Sequence, residues 1–250
     1  MEFDATFYVM ATLAVIFAGI SKGGFGSGAA FAAAPFLALV MDPATAVAFM
    51  LPLLMIMDIT NLGPYWRKWD WKNAKAMMVG GVPGVVVGVA VFGYADADTI
   101  RILIGLIALG FVAFQLMKGA GWFSIPERPF SNARAGFWGG VAGFTSFVSH
   151  AGGPPAAVHL LGQRLDKQTY QATTVILFWW INVVKFVPYA ALGLFTQQTL
   201  IANAIFVPVA VAGALLGVAA HRVISEKWYF RLTYIFLTIT GSKLIFDGVT

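Results

Sequence analysis

Six segments of this chain, at 44–63, 76–92, 100–117, 172–194, 200–220 and 230–246, run almost without charge. Each is long enough to cross a hydrocarbon layer ~30 Å thick as a helix. At that depth no water is present to satisfy backbone N–H and C=O groups, so only helices or a closed barrel can span it. The ~10-residue alternating pattern of a membrane barrel does not occur in the sequence, which leaves helices. Composition agrees: 59% of residues are apolar and 11% charged, against about 45–50% and about 25% in soluble domains. The expected fold class is an all-α polytopic membrane protein.

The net charge of +5 is topological and does not call for a nucleic-acid partner. Of the 16 Lys and Arg, 12 fall in four short connections: Arg67, Lys68, Lys72 and Lys75; Lys118, Arg128 and Arg134; Arg164 and Lys167; Arg222, Lys227 and Arg231. Such clusters mark cytoplasmic loops, and the expected location is a bacterial cytoplasmic (inner) membrane. The opening Met-Glu-Phe-Asp is acidic where a secretory signal carries Lys or Arg, so the first apolar segment is expected to be retained. The chain has no cysteine, which removes disulfides, Fe–S clusters and thiolate metal sites. His159 follows His150 by nine residues with no second ligand at i+3 or i+4, so no metal and no other cofactor is expected.

Two further apolar regions, 6–40 and 133–161, are interrupted by the breaks SKGGFGSG and SFVSHAGGPP. Offset by about 124 residues the two halves of the chain coincide: Gly19 with Gly143, Gly28 with Gly153, Thr45 with Thr169, Asp58 with Asn182, Pro64-Tyr65 with Pro188-Tyr189, Val82-Pro83 with Val207-Pro208, and Gly88 with Gly213. That is an internal repeat, 1–125 and 126–250. If the acidic N-terminus is outside and the basic loop 65–75 inside, region 6–40 must return to its starting side. Region 133–161, between two basic loops, must do the same. Each half is then a hairpin of two short helices (6–40; 133–161) plus three full spans. The odd number of crossings inverts the second half relative to the first. The other reading of each broken region is a single kinked helix with glycines for close packing.

Irregular backbone at membrane depth is tolerated where it lines a cavity, so both breaks are expected to meet at a central site. New half-helices starting near Gly28 and near Pro154-Pro155 would present N-terminal N–H groups to an anion. The substrate-binding candidates are Ser21, Lys22, Gly24, Ser27 and Gly28 in the first break. In the second they are Ser146, Ser149, His150, Gly152 and Gly153, joined by Asn182 and Lys185 from the following span. Hydroxyls and Lys22 suit an oxyanion, and the glycines allow close approach to the main chain. Ionisable groups at this depth are costly and so informative. Asp58 is expected to balance Lys22 or carry a proton, which makes it and His150 the coupling candidates. Alternatives stand beside these: serines bonded to nearby carbonyls, a neutral His150 tied to a carbonyl, and Lys185 in a buried pair. Lys243 is expected to snorkel or pair locally, and Trp179-Trp180 to wall the cavity.

The motifs GISKGGFGSGAAFAAAP at 19–35 and GFTSFVSHAGGPP at 143–155 resemble those of the TauE/SafE family of sulfite and organosulfonate exporters, also called the toluene sulfonate uptake permease family; the first copy interposes Ser27 and Ala29 in its glycine run. The resemblance covers essentially the whole chain. It implies a transporter, not an enzyme, for sulfite, an organosulfonate or a related sulfur oxyanion or organic acid. The expected partners are the anion, membrane lipid and coupling protons. A passive anion channel with the same site, or a carboxylate transporter, is the alternative expectation.

Overall fold

The computed structural model describes residues 3–24, 29–122, 124–220 and 226–250. No strand occurs among them, and the chain forms helices α1 (Ala5–Gly24), α2 (Ala33–Leu37), α3 (Pro43–Leu62), α4 (Trp71–Tyr94), α5 (Ala97–Gly119), α6 (Asn132–Ser149), α7 (Gly153–Leu161), α8 (Lys167–Ala191), α9 (Gln197–Ala220) and α10 (Glu226–Val249). A single 3₁₀ turn, Ala30–Ala32, leads into α2. Seven helices, α1, α3, α4, α5, α8, α9 and α10, are long and apolar enough to cross a membrane. Their outer faces carry exposed residues such as Val79, Val86, Leu106, Ile205 and Ile239, the surface expected of helices whose solvent is lipid.

Aspartates cap the starts of α3, α4, α5 and α8. Asp42 accepts from the Thr45 N–H at 2.9 Å, Asp70 from Asn73 at 2.8 Å, Asp96 from Thr99 at 2.8 Å, and Asp166 from Gln168 and Thr169 at 3.0 and 3.1 Å. Each satisfies an N–H that the first turn leaves without a partner. Asp42 and Asp166 stand 124 residues apart and cap α3 and α8 through Thr45 and Thr169 alike. The Thr99 and Thr169 bonds hold the Asp96 and Asp166 carboxyls below the usual aspartate value. Their capping is therefore fully present at neutral pH and is lost as pH falls through those depressed values.

In both broken regions the two arms are in contact, α2 packing on α1 and α7 on α6. The arms are unequal, correcting the expectation of two short helices. α1 has 20 residues and α6 has 18, while the return arms have 5 and 9. Nothing upstream of the glycines interrupts helical bonding, so each first arm runs on to its break. Ahead of the first return helix the described residues form a 3₁₀ turn, Ala30–Ala32.

The two halves of the chain interleave. α4 packs along α6, α9 along α1, α5 along α10, and the enclosed α3 lies between α8 and α9. Two of these crossings are backbone on backbone: a Cβ at Gly19 would lie 2.7 Å from the Gly213 carbonyl carbon, and one at Gly84 would overlap the Gly140 carbonyl oxygen. Small residues let helices approach this closely where lipid provides no hydrophobic driving force.

Gly84→Ala is expected to destabilise the protein by about 1–3 kcal/mol, because its methyl group meets main chain that no rotamer change can move. Gly93→Ala, on the same helix with nothing within 4 Å of its Cβ, should stabilise by about 0.4–1 kcal/mol. Thermal unfolding of the two variants in one detergent checks both signs.

Candidate functional site

Four helices converge on a polar cluster. α3 supplies Asp58, α8 supplies Asn182 and Lys185, the last turn of α1 supplies Lys22, and the end of α6 supplies Ser146 and His150. All six are buried, Asp58 and Lys185 completely. The Lys22 ammonium lies 2.7 Å from Asp58 Oδ1, an ion pair buried at both ends. The Asn182 amide donates to Asp58 Oδ2 at 2.7 Å. Asp58 and Asn182, the pair matched across the repeat, thus touch one another.

Lys185 organises the other side. Its nitrogen is 2.9 Å from the Ser146 carbonyl, 3.0 Å from the Ser146 hydroxyl and 2.8 Å from His150 Nδ1. Three acceptors match the three N–H groups of an ammonium. His150 Nε2 lies 2.8 Å from the Val47 carbonyl. A carbonyl cannot donate, so Nε2 carries the proton and Nδ1 accepts from Lys185, giving a neutral imidazole used at both nitrogens. The ring is aimed by its backbone: His150 caps α6 at φ 59°, a left-handed conformation that costs a non-glycine residue about 1 kcal/mol. The cluster therefore brings two lysines, one aspartate and one histidine together out of contact with solvent.

The groups that meet include the ends of both first arms, Lys22 in the last turn of α1 and Ser146 and His150 at the end of α6, where cations are favoured.

Lys22, Ser146, His150 and Asn182 also line a cavity of about 10 Å³ whose other walls are Ala30, Phe31, Leu54 and Phe178. That is room for about one water molecule, so the centre is closed. The remaining candidates sit elsewhere. Ser21 is hydrogen-bonded to Tyr229 of α10. The Ser149 hydroxyl donates to the Thr145 carbonyl at 3.3 Å. Gly24 lies against the Gly217 carbonyl of α9, and a Cβ on Gly152 would stand 2.6 Å from the Phe178 ring. Gly153 is the buried first residue of α7. Ser27 and Gly28 lie outside the described residues.

Trp180 points outward, so the expectation that the tryptophans wall the cavity is corrected. Phe178, Asn182 and Lys185 follow the i, i+4, i+7 face of α8, and Trp180 lies off it. His159 Nε2 is 2.6 Å from the Asn73 amide oxygen, and no group of three metal-ligating side chains occurs among the described residues. Lys243 pairs with Asp247 at an exposed position.

Sequence reasoning missed the apolar walls Phe31, Leu54 and Phe178, the Val47 carbonyl, and Gln171, whose amide donates to the Lys22 carbonyl at 2.9 Å. It also missed two tyrosine ties. The Tyr65 hydroxyl donates to the Gly23 carbonyl and the Tyr189 hydroxyl to that of Phe147, so donors and acceptors are both 124 residues apart. The repeated Pro-Tyr was the available signal. Burial pushes the Tyr65 phenol above its ordinary pKa, which keeps it a donor at neutral pH.

Membrane-length helices, two breaks ending among them and a closed ionic centre at their meeting point define an integral membrane protein built as a transporter. The chain belongs to the sulfite exporter TauE/SafE family, whose model matches residues 11–244. Members of that family are membrane transporters of sulfite and related sulfur compounds, not enzymes. The searches of curated proteins and of solved structures returned no match.

Lys22→Met leaves Asp58 buried without its counter-ion and is expected to cost about 3–5 kcal/mol. The double variant Lys22→Met, Asp58→Leu should recover most of that loss. Unfolding of the single and double variants measures the pair directly.

Proposed function

We propose that the protein is a secondary transporter that exports sulfite, an organosulfonate or a related sulfur oxyanion by alternating access, coupled to protons. The observation that carries this reading is the composition of the closed centre: two buried lysines against one aspartate, with an amide and a hydroxyl beside them. Such a site has an excess of positive charge and a set of donors, the complement of a small oxyanion. Lys22, Lys185, Ser146 and Asn182 are the ligands in this reading.

With the centre closed and empty, Asp58 occupies Lys22 and Asn182 as an internal anion. Protonating Asp58 frees both for the substrate, and losing the proton expels the substrate by returning Asp58 to them. The proton and the anion then use the site in linked fashion. His150, held neutral between Val47 and Lys185, positions the Lys185 ammonium and is not the proton carrier in this scheme.

Alternating access follows from an inverted repeat of 1–125 and 126–250. Contact between Asp58 and Asn182 supports it, since residues on a pseudo-two-fold axis meet their own equivalents, and the matched caps and tyrosine ties add to that support. The interleaved pairs α1 with α9 and α4 with α6 would rock as bodies about the centre. In this reading the helix ends that carry the basic connections face the cytoplasm, as the excess of Lys and Arg there favours. A centre with room for about one water favours a carrier over an open channel.

Proteoliposomes loaded with sulfite, sulfoacetate or a carboxylate control provide the test. Saturable, trans-stimulated flux of a sulfur oxyanion is expected, reduced at least about 100-fold in Lys185→Met, the loss of a charge-assisted ligand pair. Asp58→Asn should keep exchange but lose accumulation driven by a pH gradient. Folded protein that moves no sulfur oxyanion under any gradient overturns the substrate class, and pH-driven accumulation by Asp58→Asn overturns the coupling scheme.

A further inference from the structure

A second basic site lies away from the centre, where the connection between α5 and α6 folds over the C-terminal end of α7. A cleft of about 240 Å³ there is lined by Arg128, Arg134, Ser124 and Gln163 among others, and no carboxylate of the described residues lines it. The strap is fastened by main chain: the Arg128 N–H donates to the Gly162 carbonyl at 3.0 Å, and Gln163 donates to the Arg128 carbonyl at 3.2 Å. One N–H of Arg134 donates to the Pro129 carbonyl. Neither arginine has a salt-bridge partner among the described residues, and Arg128 is exposed.

The cleft does not end at its polar rim. Phe114, Trp138 and Val158 line it and also line an apolar groove of about 240 Å³ that runs between α5 and α6 along α7. The groove continues past Gly110 to Ala151, Pro154 and Pro155, at the start of the return helix. A free oxyanion matches the arginines but leaves this groove without an occupant. An acyl chain joined to a phosphate matches both. The cleft is lined by part of the basic connection between α5 and α6, and Trp138 lines both the cleft and the groove, as suits an indole, which settles at membrane interfaces. Basic pockets between membrane helices are suited to anionic headgroups.

We propose that this cleft and groove hold one anionic phospholipid, its phosphate on Arg128 and Arg134 and an acyl chain along α7. The chain ends beside the turn that carries His150. Thr145, which lines the groove, has its hydroxyl oxygen 2.9 Å from both the Ala151 and the Val141 carbonyl oxygens. Lipid in the groove therefore packs against the turn that aims the imidazole at Lys185, and it stiffens one wall of the central site.

Native mass spectrometry of the full chain tests the assignment, with phosphatidylglycerol and phosphatidylcholine of identical acyl chains offered in turn and inorganic phosphate as competitor. One phosphatidylglycerol is expected to be retained at least about tenfold over phosphatidylcholine, as two basic contacts to an anionic headgroup imply. Arg128→Gln with Arg134→Gln should abolish that preference. Gly110→Phe should expel the lipid without unfolding the protein, because a Cβ at Gly110 meets nothing within 4 Å. Should the double variant prove unstable, Arg128→Gln alone carries the headgroup test, since that side chain is exposed. Equal retention of the two lipids, or retention of phosphatidylglycerol by Gly110→Phe, overturns the proposal. Displacement by inorganic phosphate with no effect of Gly110→Phe identifies a vestibule for free oxyanions instead.

Discussion

The fold depends on how three buried charges are accommodated. Lys22, Asp58 and Lys185 come from three different helices, and each is costly to place away from water. Asp58 is satisfied only if α1 and α8 bring Lys22 and Asn182 to it within hydrogen-bond distance. Lys185 is satisfied only if the end of α6 offers a carbonyl, a hydroxyl and an imidazole nitrogen together. These requirements specify which helices meet and at what height, in a molecule whose apolar faces would slide past one another with little change in energy.

Close helix crossings make that convergence possible. Glycines at the α1–α9 and α4–α6 contacts remove side chains that would hold the backbones apart, so each first arm reaches deep enough for its last turn to meet α3 and α8. The two first arms deliver carbonyl ends to the centre, and the lysines answer that polarity. The same clusters that stabilise the closed form supply the donors of the proposed oxyanion site. Stability of the empty state and affinity for substrate therefore draw on one set of interactions, with Asp58 standing where an anion would.

Much of this was legible in the chain. Uncharged stretches of membrane-spanning length identified the helices, because lipid leaves an unpaired backbone no other choice. Rarity of charge at depth pointed to Lys22, Asp58, His150 and Lys185 before any geometry was known, and the 124-residue offset paired Asp58 with Asn182. The walls of the cavity were not legible: Phe31, Leu54 and Phe178 look like any other apolar residue in a sequence that is mostly apolar. The roles of Ser21, Ser149 and Gly24 were equally hidden. A hydroxyl near a break can turn to a carbonyl or to a ligand, and a glycine can serve either a ligand or a neighbouring helix.

By itself the sequence determined a helical membrane protein, the positions of its two breaks and the short roster of polar residues at depth, since each follows from the cost of exposing backbone or charge to hydrocarbon. Only the tertiary structure decided the partners. Whether Lys185 meets Asp58 or Ser146 and which nitrogen of His150 faces it both turn on distances of a few ångströms between helices far apart in the chain. Local composition carries no record of those distances, because they are set by the packing of backbones at glycine crossings and by the unequal lengths of the hairpin arms.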